Sequence, residues 1–286
     1  MSDIEVFSNC RDLLGESPRW HPLEKKLYWV DIEAGAVHSQ SAREMNPITH
    51  QVDLKVGCLA FESSGALLLA TSSGIQLWDA DRSHLTLLAD PEAGKPGARF
   101  NDGLVDAAGR FWAGTMTETD ATSSLYCLGS GLQLRTMQTG ITISNGLGWN
   151  KENTRFYFTD TLKRVVWQYD FDLPAGTLAN RRVFLEVTGD GLPDGLAVDT
   201  EGNLWIVICG GGRIQVHDSS GQLLDLLHFP TRCITACTFG GSDLSDLYVT
   251  SSRSLLNPSE QTEDTLAGSV FRVSTQAHGQ LERFFG

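Results

Sequence analysis

One repeat limits what this chain can fold into. The segments "ESPRW", "GCLAF", "DGLVD", "NGLGW", "DGLAV" and "TACTF" align, beginning at Glu16, Gly57, Asp102, Asn145, Asp194 and Thr235. The intervals are 41, 45, 43, 49 and 41 residues. Each segment is followed by a turn signal ("PLEK", "SSG", "DAAG", "NKEN", "DTEG", "GSDLS") and then a strand rich in Val, Ile, Leu and aromatics. Those strands read "KLYWVDI", "ALLLATS", "RFWAGTM", "RFYFTDT", "NLWIVIC" and "DLYVTSS". A third strand often comes next, as in "GIQLWD" or "RVVWQYD". A strand-and-turn unit of about 40–50 residues is the signature of propeller blades. The expectation is an all-β, six-bladed propeller formed as one domain over residues 1–286. Closure of the ring removes the open sheet edges that invite aggregation. "IEVFS" near the start and "LERFF" near the end are candidates for completing the last blade.

The register also gathers polar residues. Glu16, Asp102, Asn145 and Asp194 share one position, at the end of the innermost strands and facing the axis. Such a ring suits a hard cation, which prefers oxygen ligands, and carboxylates crowded at an axis repel one another without one. Read singly, "NDG", "SNG" and "PDG" fit turns before strands equally well. Glu16 does not, because glutamate is a poor turn residue. The metal reading places a site at one mouth of the central channel.

Composition removes other functions. The net charge of −13 argues against nucleic acid and anionic membranes as partners. No apolar run reaches the about 20 residues of a membrane span, and "MSDIEVFSNCRD" lacks the basic-then-apolar pattern of a signal peptide. A soluble, cytoplasmic protein is expected. Cys10, Cys58, Cys127, Cys209, Cys233 and Cys237 form no CxxC pair, and most lie in apolar runs, so buried free thiols are expected. The seven histidines show no metalloprotease spacing, and no GxSxG elbow supplies a serine nucleophile. "CGGGR", at Cys209 to Arg213, lacks a following helix and a GK[ST] end; it reads as a turn between two strands.

In combination and order, "LGESPRW", "RFNDGLVDAAGRFWAGTM", "ISNGLGWN", "FYFTDT", "LPDGLAVDTEGNLW", "GGGRI" and "LYVTSS" resemble the gluconolactonase, senescence-marker-protein (regucalcin) and luciferin-regenerating-enzyme-like family. The resemblance runs from about Cys10 to Val273. It implies a six-bladed propeller with one divalent cation (Ca, Zn, Mn, Mg or Fe) held by Glu16, Asn145 and Asp194. It also implies that Arg99 and Asn101 contact substrate, and that Asp102 is structural or supports the ligands. The family's acidic substrate contact falls on Glu118 or one position away, at Thr119. An aromatic that often precedes the "GGR" turn is Cys209 here. The implied activity is metal-dependent hydrolysis of a sugar aldonolactone, a carboxylic-ester hydrolase reaction. Asp194, or hydroxide at the cation, serves as base, and the lactone is a small-molecule partner. Other readings are hydrolysis of another ester or an organophosphate, a Ca-binding regulatory propeller without catalysis, and a peptide-binding scaffold.

Overall fold

A computed structural model describes residues 3–80, 84–117 and 121–286. Among the described residues the strands form six antiparallel four-stranded sheets arranged as propeller blades. Their innermost strands are Gly15–His21, Val56–Phe61, Arg99–Val105, Ser144–Trp149, Leu192–Val198 and Ile234–Gly240, which define blades 1 to 6 in that order. Each of the six aligned segments lies on one of these strands. Blades 1 to 5 are simple meanders, whereas blade 6 orders its strands as Glu5–Ser8, Val270–Ser274, Asp246–Ser251 and Ile234–Gly240. The N-terminal strand thus closes the ring, pairing Glu5 with Arg272 and Val6 with Phe271.

"IEVFS" therefore completes the last blade, but "LERFF" does not. The C-terminal segment instead runs across the ends of the blades. Gln280 Nε2 donates to the carbonyls of Trp149 and Val198 (2.8 and 3.2 Å), Phe285 N donates to Phe61 O (2.8 Å), and Gly286 N donates to Gly109 O (3.2 Å). The Phe285 ring enters the apolar cluster shared by blades 2 and 3. An aromatic pair that reads as a strand is here an anchor. No helix among the described residues is long and apolar enough to cross a membrane.

The apolar core is divided among the blade interfaces. Six clusters sit one between each neighbouring pair of blades, from Val30, Leu59 and Trp78 between blades 1 and 2 to Trp20, Trp29 and Tyr248 between blades 6 and 1. Middle strands are covered on both faces, so their sequences are nearly unbroken apolar runs instead of alternating ones. The turn after each of two inner strands is locked by a buried aspartate. Asp106 Oδ2 accepts from Trp112 Nε1 (2.8 Å) and Arg110 Nε (2.7 Å), and Asp199 Oδ2 accepts from Trp205 Nε1 (3.1 Å). All six cysteines are free thiols; Cys10 and Cys209 are half-buried, the other four buried.

Every inner strand breaks register near its start. The shifts fall at Glu16/Arg19, Val56/Cys58, Phe100/Gly103, Asn145/Leu147, Pro193/Leu196 and Ile234/Cys237. A bulge re-aims side chains and sharpens twist. "NDG", "SNG" and "PDG" are thus strand bulges, and the turn reading of them is corrected. Their glycines serve close approach: a Cβ on Gly146 would lie 2.5 Å from Leu196 N and 2.7 Å from Asp194 O, backbone of the next inner strand.

Candidate functional site

The bulges place Glu16, Asn145 and Asp194 at one end of the innermost strands, 7, 5 and 7% exposed. Ser17, the bulge residue after Glu16, adopts a left-handed φ of 48°, and its Oγ accepts a bond from Leu59 N (3.2 Å), tying blade 1 to blade 2. Left-handed backbone is costly outside glycine. Here it turns the Glu16 carboxylate, whose Oε2 accepts from Ser17 N at 3.1 Å.

The orientation of Asn145 is fixed by a chain of donors. Thr161 Oγ1 donates to Pro193 O (2.9 Å), so its oxygen is left to accept from Asn145 Nδ2 (2.8 Å). The Asn145 Oδ1 atom therefore points the other way, where it accepts from Asn101 Nδ2 at 2.9 Å and keeps a second lone pair. Asn101 also donates to Ser144 O (2.8 Å) and accepts from Arg99 Nη1 (2.6 Å). Arg99, Asn101 and Asn145 thus form one hydrogen-bonded row across blades 3 and 4.

Asp102 faces a different partner. Its Oδ1 accepts from Gly103 N (2.7 Å) and pairs with Arg19 Nη2 (3.4 Å), and the same Arg19 nitrogen donates to Gly103 O at 2.5 Å. Glu118 lies outside the described residues. Cys209 ends the second strand of blade 5, against buried Cys233 and beside Asp194. Two residues of the network, Thr161 and Arg19, were not expected from the sequence. For Thr161 no periodic signal exists. Arg19 carried one: a charged residue inside a buried strand needs a partner.

The electrostatics are strained. Burial, then the charges of Asp194 and Asp102, push the Glu16 carboxyl well above the usual carboxylate range, with Arg99 partly opposing. Burial and the Asp102 charge do the same to Asp194. Asp102 is raised by burial and pulled back by Arg19. Among the described residues no group of three or more His, Cys, Asp or Glu side chains is arranged to hold a metal ion; the expected ligands are two carboxylates, Glu16 and Asp194, and the Asn145 amide. These donors offer oxygen and are buried, the two carboxylates repel each other, and the set fits a hard divalent cation.

Raised native carboxyls give a definite pH dependence. The unfolded chain loses these protons near about pH 4, while the folded chain still holds them. The folded state then binds more protons than the unfolded, and stability falls as pH rises through that window. Carboxylates held low by surface hydrogen bonds, such as Asp218 and Asp243, act only at lower pH, and His21, lowered by burial, adds one opposing contribution that is complete above the ordinary histidine range. The melting temperature of chelator-treated protein should fall between about pH 5 and pH 8. Calorimetry at a series of pH values checks this, and a flat or rising trend refutes the buried repulsion.

Known proteins resemble this chain in sequence and in fold. Residues 14–253 match the SMP-30/Gluconolactonase/LRE-like region. A pentonolactonase of Haloferax volcanii is 36% identical over 290 residues, covering 97% of this chain and 95% of that protein. A 6-deoxy-6-sulfogluconolactonase of Pseudomonas putida is 36% identical over 277 residues, covering 96 and 95%. A calcium-binding protein, regucalcin, from Agrobacterium tumefaciens superposes with a TM-score of 0.95 at 28% identity, covering 100% of this chain and 98% of the other. The chain belongs to the SMP-30/gluconolactonase/LRE-like family.

Proposed function

We propose that this protein is a divalent-metal-dependent lactonase that hydrolyses a sugar aldonolactone to its aldonic acid. The enzyme class, a carboxylic-ester hydrolase, follows from its lactonase relatives. The observation that carries the metal reading is the Glu16–Asp194 pair. Two carboxylates lie at one end of the channel, each raised by burial and then by neighbouring negative charge, beside the turned-out Oδ1 of Asn145. Glu16, Asn145 and Asp194 would hold the cation. When bound, it would polarise the lactone carbonyl as a Lewis acid and offset the charge of the tetrahedral intermediate.

The chain's own residues supply position and proton transfer. Arg99 and Asn101 hydrogen-bond the sugar hydroxyls, and their bonds to each other and to Asn145 hold that geometry in advance. Asp194, or hydroxide supplied at the cation, serves as the base for the attacking water. The water oxygen bonds to the carbonyl carbon, the ring C–O bond breaks, and the ring oxygen takes up a proton to become a hydroxyl. No covalent enzyme intermediate is needed.

A pH-stat assay with gluconolactone, pentonolactones and a 6-sulfonated gluconolactone tests this. Each is run with chelator and with added Ca²⁺, Mg²⁺, Mn²⁺, Zn²⁺ or Fe²⁺. At least one lactone should open well above its spontaneous rate, and chelation should abolish the gain. No gain with any metal rules out the lactonase. Tight metal binding without turnover favours a regulatory propeller.

A further inference from the structure

Below the candidate site the channel holds a second layer of buried charge that the proposed chemistry does not use. Arg19, 7% exposed, reaches from blade 1 across the axis to Asp102 and Gly103 of blade 3. Its Nη2 serves both partners and its Nη1 donates to Pro18 O at 3.1 Å. Its Nε has no hydrogen-bond partner. Beneath Arg19 is a cavity with about 90 Å³ of room for water, walled by Leu104, Leu147 and Leu196 and floored by Gln280 to Arg283. Glu282 enters it from the C-terminal segment, and its Oε1 is likewise buried without a hydrogen-bond partner. Gln280, bonded to blades 4 and 5, and Phe285, bonded to blade 2, hold Glu282 in place.

The charges along the axis therefore run from the negative Glu16–Asp194 pair and Asp102, through the positive Arg19, to the negative Glu282. We propose that Arg19 and Glu282 are positioning residues that set the cation affinity of the channel mouth through Asp102. This rests on the metal reading given above. Arg19 offsets the Asp102 charge, which otherwise adds to the negative potential at Glu16 and Asp194. Glu282 in turn offsets Arg19. Burial raises Glu282 and the Arg19 and Arg283 charges oppose this, in keeping with mutual influence across the cavity. The C-terminal segment, on the far face from the substrate, is thereby an electrostatic part of the centre.

The geometry demands effects of opposite sign, which a loss of packing would not produce. Removing the positive charge with Arg19→Met should tighten binding, and removing the negative charge with Glu282→Gln should weaken it. Each shift should be about threefold, as for a unit charge acting through two buried layers with partial screening. Isothermal titration of Mg²⁺, Mn²⁺ and Ca²⁺ into the full chain at about pH 8, where Glu282 is more fully ionised, reads both. Melting curves report the fold. Arg19→Met leaves Asp102 buried and unpaired, so the double variant Arg19→Met/Asp102→Asn restores neutrality and should return toward the wild-type constant. If Arg19→Met does not fold, Glu282→Gln on the C-terminal segment decides alone. Wild-type binding with a Glu282→Gln constant unchanged, or with both variants weakened alike, overturns this proposal only. No binding in the wild type overturns the metal reading as well.

Discussion

Asp194→Asn is expected to abolish lactone hydrolysis while leaving the metal-free fold more stable. The substitution keeps the shape of the side chain and removes one charge from a pair that burial and Asp102 already penalise. Loss of a positioned base alone typically lowers turnover by about 10²–10⁴-fold. Losing a ligand adds to that, so turnover should fall at least about 10³-fold. The stability change runs the other way. An uncompensated buried carboxylate destabilises the metal-free protein above the ordinary carboxylate range, so its neutral amide should raise the melting temperature in chelator. Added Mg²⁺ or Ca²⁺ should then stabilise the wild type, through mass action on the folded state, and fail to stabilise the variant. More than a tenth of wild-type turnover in Asp194→Asn would remove Asp194 from both proposed roles. A lower metal-free melting temperature would show that its charge is already satisfied.

Gly57→Ala should cause the largest loss of stability for one added methyl group. Gly57 occupies the position in blade 2 that Glu16, Asn145 and Asp194 occupy in theirs, and its backbone is not left-handed. Space is the whole constraint. A Cβ there would sit 2.2 Å from Phe100 O, 2.6 Å from Phe100 C and 2.7 Å from Asn101 O. All three are backbone of the neighbouring inner strand, which cannot rotate aside as a side chain can. Overpacking in a filled core costs about 1–3 kcal/mol and occasionally more. With rigid atoms this close, the cost should be about 3 kcal/mol or above, a fall in melting temperature of about 6–12 °C for a chain of this size. The displaced strand carries Arg99 and Asn101, so KM for the lactone should rise in whatever fraction stays folded. A melting temperature within about 2 °C of wild type would mean that blades 2 and 3 can separate freely.

How much of this could be read from the sequence depended on burial. The inner three strands of each blade were legible because the blade interfaces cover them, so "LWIVIC" is wholly apolar and "RFYFTD" has three aromatics at its centre. The outermost strands were not. Ile48–Gln51 is exposed throughout, and Leu223–His228 nearly so, and nothing selects a recognisable pattern there. The register gathered Glu16, Asn145 and Asp194 correctly at one end of the channel, since a repeat fixes depth along the axis. It could not say what kind of backbone holds them. Asn-Gly and Asp-Gly are turn signals because glycine tolerates positive φ, but here the glycine makes room for a neighbouring strand. Thr161 was invisible for a simpler reason. Its role exists only because Pro193 and Asn145, on different blades, meet at one hydroxyl.

Blade 6 has a consequence for how the ring assembles. Its outermost strand, Glu5–Ser8, and its neighbour Val270–Ser274 come from opposite ends of the chain. During synthesis Glu5–Ser8 must wait for its partner Val270–Ser274 until all the residues between them have emerged. Five blades can form behind the ribosome while the ring is still an open arc with two bare interfaces. Contacts that span so much sequence form slowly, and open sheet edges are adhesive meanwhile. The closing step is then the slow and vulnerable stage in making this protein. The channel mouth, which draws its side chains from blades 1, 4 and 5, takes its final spacing only when that stage is complete.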